Sequence, residues 1–244
     1  LPEIASALRN GLLSARELTE EGIARHERWD LELGAYKTWD SSYARHQADA
    51  ADANFKDGKD LGPAQGILFS VKDIFGAEGF PIFAGSPIRL PSEWEQDGPV
   101  VGGIRQQCAV VPGKTHTVEF AFGGLGTNPH WDTPRNPWDI HDHRTPGGSS
   151  SGAGVSLWEG SALIAFGTDT GGSVRVPASM TGNVGLKTTK GRWSTDLITI
   201  LSTSFDTPGI LANTATDIAF GFGAIDPAAR AAGSPTIDTY DVAN

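Results

Sequence analysis

The sequence predicts an α/β protein with a mixed, largely parallel sheet sandwiched by helices. Short apolar runs at residues 66–71, 109–112 and 162–166 are typical of buried strands. Stretches with helix-start signals alternate with these runs, and this alternation is characteristic of sheets with helices on both faces. With 244 residues the chain is long enough for one large domain with a sizeable core.

The first 60 residues are predicted to be helical. Ser14 and Glu17 form a capping-box pattern, in which each side chain accepts from the other's backbone amide, so we expect a helix over residues 14–29. A second, alanine-rich helix is expected over residues 42–55. Glycine, proline and charged residues at 56–63 predict a loop.

The middle of the chain begins with the strand at residues 66–71, and Lys72 stands at its end. Asp97 is expected to cap a helix that has Pro99 in its first turn. The elements predicted after this helix are a strand, a further helix and a long loop, at residues 109–112, 115–122 and 123–145.

Two glycine-rich segments follow, and each precedes a predicted helix. The first, residues 146–152, is expected to open a helix that ends near Glu159. The second, residues 167–173, follows the strand at 162–166 and leads to a helix with Pro177 in its first turn. Glycine-rich turns of this kind let a backbone approach a ligand closely.

Composition disfavours several classes of partner. The formal net charge of −10 argues against nucleic acid, because phosphate would be repelled over most of the surface. No apolar stretch approaches the roughly 18 residues of a membrane span, and no secretory signal is visible, so we expect a cytoplasmic protein that does not enter a membrane. Cys108, the only cysteine, lies in an apolar run and is expected to be a buried structural thiol.

Nucleotide and metal sites are disfavoured by their own motif requirements. Gly113, Lys114 and Thr115 match the end of a phosphate-binding loop, but Cys108 occupies the position of its first glycine. The histidines of residues 139–143 lack a second ligand pair at metal-binding spacing. We therefore expect neither a metal nor any other cofactor.

The chemistry that the sequence favours is a serine nucleophile activated by a lysine base. A Ser-His-Asp triad is disfavoured, because Ser173 lacks the Gly-x-Ser-x-Gly elbow and all six histidines precede Ser149. Lysine activates a serine hydroxyl only when it is neutral, and apolar neighbours such as those around Lys72 favour that form. Taken alone, Lys72 is better interpreted as an ordinary surface lysine at a strand end. Lys72 and Ser173 both follow apolar strands, so they are expected to meet at one sheet edge.

Three segments together resemble the amidase signature family: Gly-Gly-Ser-Ser-Ser-Gly at 147–152, Gly-Thr-Asp-Thr-Gly-Gly-Ser-Val-Arg-Val-Pro-Ala at 167–178 and Gly-Leu-Lys-Thr-Thr-Lys-Gly at 185–191. The segments at residues 71–73 and 113–115 also match upstream blocks of that family. The resemblance runs from about residue 3 to residue 227, and its centre at 146–191 is long and highly specific.

The resemblance implies a Ser-cisSer-Lys triad. Ser173 would be the nucleophile, Ser149 the bridging serine after a cis peptide bond, and Lys72 the base. The 24-residue step between the two serines fits the family spacing. The oxyanion hole would consist of backbone N–H groups of Thr170, Gly171, Gly172 and Ser173. Residues expected to support the loops by hydrogen bonds are Ser150, Ser151, Asp169 and Arg175.

The chain also departs from the family that it resembles. Family members are roughly twice as long, so we expect only part of the full domain to be present. The expected organisation is a single domain over residues 1–244, with a helical region at about 1–60 and a catalytic core at about 61–227. Leu197 and Cys108 stand where the family commonly has glycine.

The resemblance implies hydrolysis of a small-molecule carboxylic amide, and the same acyl-enzyme chemistry would serve carbamates and esters. A glutaminase subunit of a tRNA-dependent amidotransferase is the first alternative, and an inactive scaffold or binding protein is the second. The resemblance allows a homodimer. The aromatic and glycine-rich loop at residues 122–138 would either line the acyl side of the pocket or be a structural surface loop.

Overall fold

One six-stranded sheet organises the structure. The computed structural model describes residues 1–139 and 141–231. The strands are β1 (Tyr36–Trp39), β2 (Phe69–Lys72), β3 (Gly113–Thr115), β4 (Ile164–Thr168), β5 (Val184–Lys187) and β6 (Pro208–Ala212), in the order β1-β3-β2-β4-β6-β5. β2 is parallel to β3 and β4, whereas β1 and β6 are antiparallel to their neighbours. Since β5 is antiparallel to β6, four strands share one direction, which confirms the mixed, largely parallel sheet.

Helices cover both faces of this sheet, as predicted. They are α1 (Pro2–Arg9), α2 (Ala15–Leu33), α3 (Ser41–Lys56), α4 (Pro99–Arg105), α5 (Ser151–Glu159), α6 (Arg175–Thr181), α7 (Ala215–Ile225) and α8 (Pro227–Ala231). Side chains of β4 alternate between the faces. Ile164 and Phe166 join the large core that includes α1, α3, α4 and α7, whereas Ala165 packs with residues of α5 and α6.

The first helices begin and end at the residues that their sequences indicate. The Ser14 hydroxyl accepts from Glu17 N at 3.0 Å, and the Glu17 carboxylate accepts from Ser14 N at 2.9 Å, which confirms the capping box of α2. Gly34 ends α2 in the left-handed region, with φ 59°. Asp40 caps α3 through a hydrogen bond from Tyr43 N. The region predicted to be helical throughout also contains β1, which the prediction missed.

The predictions for residues 109–122 were partly wrong. Within the strand predicted at 109–112, Val110 forms an isolated parallel bridge with Leu68, but the strand itself lies later, as β3. The helix predicted at 115–122 is absent. In its place is a single 3-10 turn at Glu119–Ala121, with Phe120 at φ 45°. The backbone amides of this segment bond elsewhere, because Val118 N donates to Ser149 O and Phe120 N to Ala84 O. These tertiary contacts replace the i to i−4 bonds that a helix requires.

The start of α4 also differs from expectation. Gly98, not Asp97, is the N-cap residue, although Pro99 lies in the first turn as predicted. The Asp97 carboxylate instead accepts from Glu78 N at 2.8 Å and lies 3.4 Å from Arg105 Nε. Asp97 therefore joins α4 to the loop after β2.

Two positions at which the family commonly has glycine keep a glycine-like backbone. Cys108 has φ 55° and Leu197 has φ 56°. Both angles lie in the left-handed region, where a side chain costs about 1–2 kcal/mol relative to glycine. The chain therefore retains the turns while carrying residues that disfavour them. Cys108 is only partly buried, against the expectation of a buried thiol. The final part of the predicted domain, residues 232–244, lies outside the described residues.

Candidate active site

Lys72 is the last residue of β2, and its side chain is fully buried. Side chains alternate along a strand, so Lys72 shares a face with Ser70, whose hydroxyl lies 2.8 Å from that of Ser156 in α5. β2 therefore directs Lys72 toward the beginning of α5. There its Nζ donates hydrogen bonds to Ser149 Oγ at 2.7 Å and to Thr168 Oγ1 at 3.0 Å.

Burial determines the protonation of this amine. Removal from water disfavours an ammonium ion, and burial lowers the pKa of Lys72 from 10.5 to about 7. The carboxylates of Asp169 and Asp206 act in the opposite direction by favouring the ammonium form, but they do not offset the effect of burial. A substantial fraction of Lys72 is therefore neutral near pH 7, and a neutral amine can accept a proton.

Ser149 follows a cis peptide bond from Gly148, as the resemblance implied. The Ser149 carbonyl accepts from Val118 N at 3.1 Å and from Ser151 N at 2.9 Å. Gly148 is tightly confined, since a Cβ at this position would lie 2.6 Å from the nitrogen of Gly126. Only glycine fits there, and the close packing of these loops fixes the Ser149 hydroxyl against Lys72.

Ser173 lies in the second glycine-rich loop and is partly buried. Its carbonyl accepts from Ser150 N at 3.3 Å, so the two serine-bearing loops are in direct contact. Within residues 1–139 and 141–231, however, the Ser173 hydroxyl forms no hydrogen bond with Ser149. Catalytic hydrogen bonds are often long before substrate binds and tighten afterwards. The structure thus brings Lys72 and Ser149 together and places the backbone of Ser173 beside them.

The backbone amides predicted to form an oxyanion hole divide into two groups. Gly172 N donates to Asp169 Oδ1 at 2.8 Å, so this amide is already engaged, contrary to the prediction. The amides of Thr170, Gly171 and Ser173 have no hydrogen-bond partner among the described residues. Gly171 is exposed, with nothing within 4 Å of a Cβ placed on it, so a ligand has access to this loop.

Asp169 holds the loop that carries Ser173. Its fully buried carboxylate accepts from the amides of Gly172, Val174 and Arg175 and forms a two-point contact with the Arg175 guanidinium at 2.9 and 3.0 Å. Burial alone would raise the pKa of Asp169, but the hydrogen bonds from Arg175 and the amides outweigh it and hold the pKa below its usual value. These contacts agree with the supporting role expected for Asp169 and Arg175.

Ser150 and Ser151 form hydrogen bonds at the site through their backbone amides, which donate to Ser173 O and Ser149 O. Both hydroxyls are buried, and neither has a partner in the described part of the chain. The structure requires small side chains at positions 150 and 151. A Cβ on Gly167 would approach Ser150 Oγ to 2.7 Å, and one on Gly126 would lie 3.2 Å from Ser151 Cβ. Larger residues at 150 and 151 would therefore separate the start of α5 from its neighbours.

Two residues at the site were missed by the sequence analysis. Thr168 accepts the second hydrogen bond from Lys72, and Asp206 accepts a hydrogen bond from the Thr170 hydroxyl. Both border a cavity of about 100 Å³ beside the site. Thr168 ends an apolar strand, so the rule that ligands bind beyond the carboxyl ends of strands would have indicated it. Asp206 precedes β6, and this rule does not point to it.

In residues 1–139 and 141–231, no group of three or more His, Cys, Asp or Glu side chains is arranged to hold a metal ion. None of the helices in that part of the chain combines the length and apolar character needed to cross a bilayer.

The fold and the site define an α/β protein in which a buried lysine lies beside two serine-bearing, glycine-rich loops at one edge of a mixed sheet. The model of the amidase family matches residues 17–235, and the chain belongs to this family.

Named relatives agree with this assignment. The chain is 54% identical over 235 residues to a 2-amino-5-chloromuconic acid deaminase of Comamonas testosteroni, covering 96% of this chain and 51% of that protein. It is 39% identical over 221 residues to the A subunit of the glutamyl-tRNA(Gln) amidotransferase of Halorhodospira halophila, covering 91% and 45%. The chain thus spans about half the length of the curated relatives that it matches.

Solved structures show the same fold. Native peptide amidase from Stenotrophomonas maltophilia superimposes with a TM-score of 0.84 at 32% identity, over 97% of this chain and 49% of that one. A 6-aminohexanoate cyclic dimer hydrolase complexed with substrate gives a TM-score of 0.78 at 28% identity, over 92% and 45%. The observed sheet and loops are therefore those of an amidase signature fold, of which this chain covers about half.

Proposed function

We propose that the protein hydrolyses carboxylic amide bonds through an acyl-enzyme on Ser173 and releases ammonia or an amine. The observation that carries the proposal is the contact between Lys72 and Ser149. A buried amine with a pKa of about 7 lies 2.7 Å from a buried hydroxyl, and a lysine in this state can act as a base.

The first step in this mechanism is activation of the nucleophile. Neutral Lys72 accepts a proton from Ser149, which accepts one from Ser173 as the Ser173 oxygen attacks the acyl carbon. The 3.3 Å contact between Ser150 N and Ser173 O keeps the two serine loops adjacent. The hydroxyl of Thr168 holds the Lys72 amine in place through the 3.0 Å contact.

The next step stabilises the charge that develops on the carbonyl oxygen. The amides of Thr170, Gly171 and Ser173, which have no partner in the part of the chain that the structure describes, are suited to receive this oxyanion. Asp169 fixes the loop that presents them. The ammonium form of Lys72 then returns a proton through Ser149 to the departing nitrogen. Water attacks the acyl-enzyme by the same route and restores Ser173.

The substrate proposed is a small molecule. Apolar surface lies close to the site, since Phe122 and Leu125 are largely exposed and flank Gly124, whose carbonyl accepts from Gly148 N. This arrangement supports the proposal that the loop at 122–138 lines the acyl side. The relative with 54% identity is named for the deamination of 2-amino-5-chloromuconic acid, so a small amino-substituted acid belongs beside simple amides in a substrate screen.

The glutaminase alternative is not favoured over stand-alone hydrolysis. The amidotransferase relative matches at 39% identity, compared with 54% for the deaminase. A homodimer and a cytoplasmic location stay predictions from the sequence, and size-exclusion chromatography and cell fractionation would test them.

The proposal is tested on the protein at its full natural length, with no other protein added. Amides, carbamates and esters of graded bulk, together with 2-amino-5-chloromuconic acid, are assayed for release of ammonia, amine or alcohol. We expect turnover by the wild type, and a loss of about 10⁴-fold or more in Ser173→Ala. A fluorophosphonate should label the wild type but not Ser173→Ala. Labelling at another serine, or full activity of the variant, would reject the assignment.

A further inference from the structure

Asp206 makes an unusual set of contacts beside the site. It lies shortly before β6 and is largely buried. One carboxylate oxygen accepts from the Thr170 hydroxyl, and the other accepts from Leu201 N at 2.8 Å and Ser202 N at 2.9 Å. A single carboxylate thus joins the glycine-rich loop after β4 to the segment at residues 201–206.

The contact with Thr170 holds a part of the loop that the Asp169 carboxylate does not contact. Asp169 holds the later part of the loop, through the amides of Gly172, Val174 and Arg175. The amides of Thr170 and Gly171 have no partner among residues 1–139 and 141–231. Besides the bond from Asp169 N to Thr207 O at 2.8 Å, the hydroxyl of Thr170 ties the early part of the loop to the body of the protein.

We propose that Asp206 is a positioning residue, which fixes the early part of the substrate-facing loop through Thr170 so that the loop amides meet the oxyanion. This inference rests on the proposed hydrolysis at Ser173. Preorganised donors are effective only when they are held in place before the reaction, and misplacement by about 1 Å costs roughly 100-fold in rate.

A carboxylate suits this task better than a neutral group. It offers acceptors only, and all three of its contacts come from donors. Charge-assisted hydrogen bonds are shorter and stronger than neutral ones. The backbone on either side is fixed as well, because Lys190 Nζ donates to Thr203 O at 2.9 Å and to Asp206 O at 3.0 Å.

The position of Asp206 has a second consequence. Two carboxylates act on the buried amine of Lys72, namely Asp169 at the end of β4 and Asp206 before β6, and both raise its pKa against the effect of burial. Removing the charge of Asp206 leaves Asp169 alone to oppose burial. The pKa of Lys72 would then fall further, and the rate would begin to rise at a lower pH.

Thr170 provides the direct test, because valine has the shape of threonine without its hydroxyl. We expect Thr170→Val to lower kcat about 10- to 100-fold, with KM changed less than about twofold and the melting temperature close to that of the wild type. Thr170→Ser keeps the hydroxyl and should recover most of the lost rate. Equal rates in the valine and serine variants would overturn the proposal.

Asp206→Asn provides an independent test, because the midpoint of the pH–rate profile would not move if Asp206 had a purely structural role. We expect a reduced kcat and an acidic limb of the pH–rate profile that moves to lower pH, whereas Thr170→Val leaves the midpoint where it is. If Asp206→Asn changed neither the midpoint of the acidic limb nor kcat per folded molecule, the proposed role of Asp206 would be overturned.

Each rate is measured both as amide turnover and as fluorophosphonate labelling, in which the Ser173 oxygen bonds to phosphorus and fluoride leaves. Labelling also places an anionic oxygen near the loop amides, so it reports on their positions without requiring amide hydrolysis. A wild type that is labelled but hydrolyses no amide would reject the proposed function, and the labelling rates of the variants would still decide the role of Asp206.

Discussion

At the residue scale, neighbouring serines differ in what their hydroxyls contact. Ser149 Oγ accepts from Lys72 at 2.7 Å, whereas Ser150 Oγ is buried without a partner in the described residues. The two side chains are chemically identical and adjacent in sequence. A comparison of their alanine variants therefore separates proton transfer from packing.

We expect Ser149→Ala to lower kcat/KM by about 10²- to 10⁴-fold, the usual contribution of a proton-transfer group. Ser150→Ala removes a hydroxyl that has no hydrogen bond to lose, so its activity should stay within about threefold of the wild type. Steady-state kinetics at pH 8 on both variants makes the comparison. Similar losses in the two variants would contradict the bridging role of Ser149.

The pH dependence of the rate follows from the pKa of Lys72. The base acts when neutral, so the rate rises as Lys72 loses its proton. Since burial lowers the pKa to about 7, kcat/KM should be low at pH 5.5, half-maximal near pH 7 and level above about pH 8.5. The profile is measured with a neutral amide substrate, whose binding does not titrate in this range. A flat profile from pH 6 to 9 would exclude Lys72 as the base.

At the level of elements, the packing of α5 depends on glycine where the helix meets other backbones. A Cβ on Gly152 would lie 2.0 Å from the carbonyl oxygen of Ala35 and 2.8 Å from His116 N. Backbone atoms cannot move aside as a flexible side chain can. In α4, by contrast, a Cβ on Gly103 would meet nothing within 4 Å.

These two glycines give opposite predictions for the same substitution. We expect Gly152→Ala to reduce the free energy of unfolding by about 3 kcal/mol, since overpacking forces backbone shifts. Gly103→Ala should increase it by roughly 0.5–1 kcal/mol, because alanine has the higher helix propensity. Urea denaturation followed by circular dichroism measures both changes. Destabilisation by Gly103→Ala, or none by Gly152→Ala, would contradict the packing described for these helices.

How much of the fold the sequence predicts depends on whether local signals decide the structure. The capping box of α2 and the strand before Lys72 are local features, and both were predicted. β1 was missed because four residues between two helices carry no clear alternation. The helix predicted at 115–122 was wrong because its amides bond to Ser149 and Ala84, which are distant in sequence.

The same distinction holds for the site. The family motif located Lys72 and Ser149, which the structure places in contact. The engagement of the Gly172 amide by Asp169 depends on three-dimensional packing, which no spacing in the sequence reveals. The same holds for the Ser150 hydroxyl, which has no partner among the described residues. Asp206 was missed for a similar reason, as its partner Thr170 lies 36 positions away.

For the whole molecule, two fully buried lysines stand on adjacent strands but differ in their partners. Lys114 of β3 lies 2.9 Å from the buried carboxylate of Asp73. Lys72 has no carboxylate within ion-pair distance in the described part of the chain and contacts only hydroxyls. The ion pair offsets part of the cost of burying Lys114, although burial still lowers the pKa of this amine. The burial of Lys72 has no such ion pair to offset it among the described residues and reduces stability.

This contrast predicts opposite effects of removing the two amines. Lys72→Met should stabilise the protein near pH 7, and the lowered pKa of Lys72 sets an upper limit of about 5 kcal/mol on this gain. The loss of the two hydrogen bonds from Lys72 reduces the gain. Lys114→Met leaves Asp73 buried without its counter-charge and should destabilise the protein by about 3–5 kcal/mol. The free energy of unfolding at pH 7, measured in urea, tests both signs.

The cause of the stability gained in Lys72→Met can be identified from the way in which that gain changes with pH. Between about pH 7 and pH 10.5 the unfolded wild type carries a proton on Lys72 that the folded state does not bind, so wild-type stability rises with pH. The methionine variant lacks this contribution. Its advantage should therefore shrink by ~1.4 kcal/mol per pH unit over that interval and stay constant below it. The exposed Lys56→Met variant, which removes an amine away from the site, serves as the matched control. An advantage that does not change with pH would mean that packing, rather than the burial of a titrating amine, sets the stability of this site.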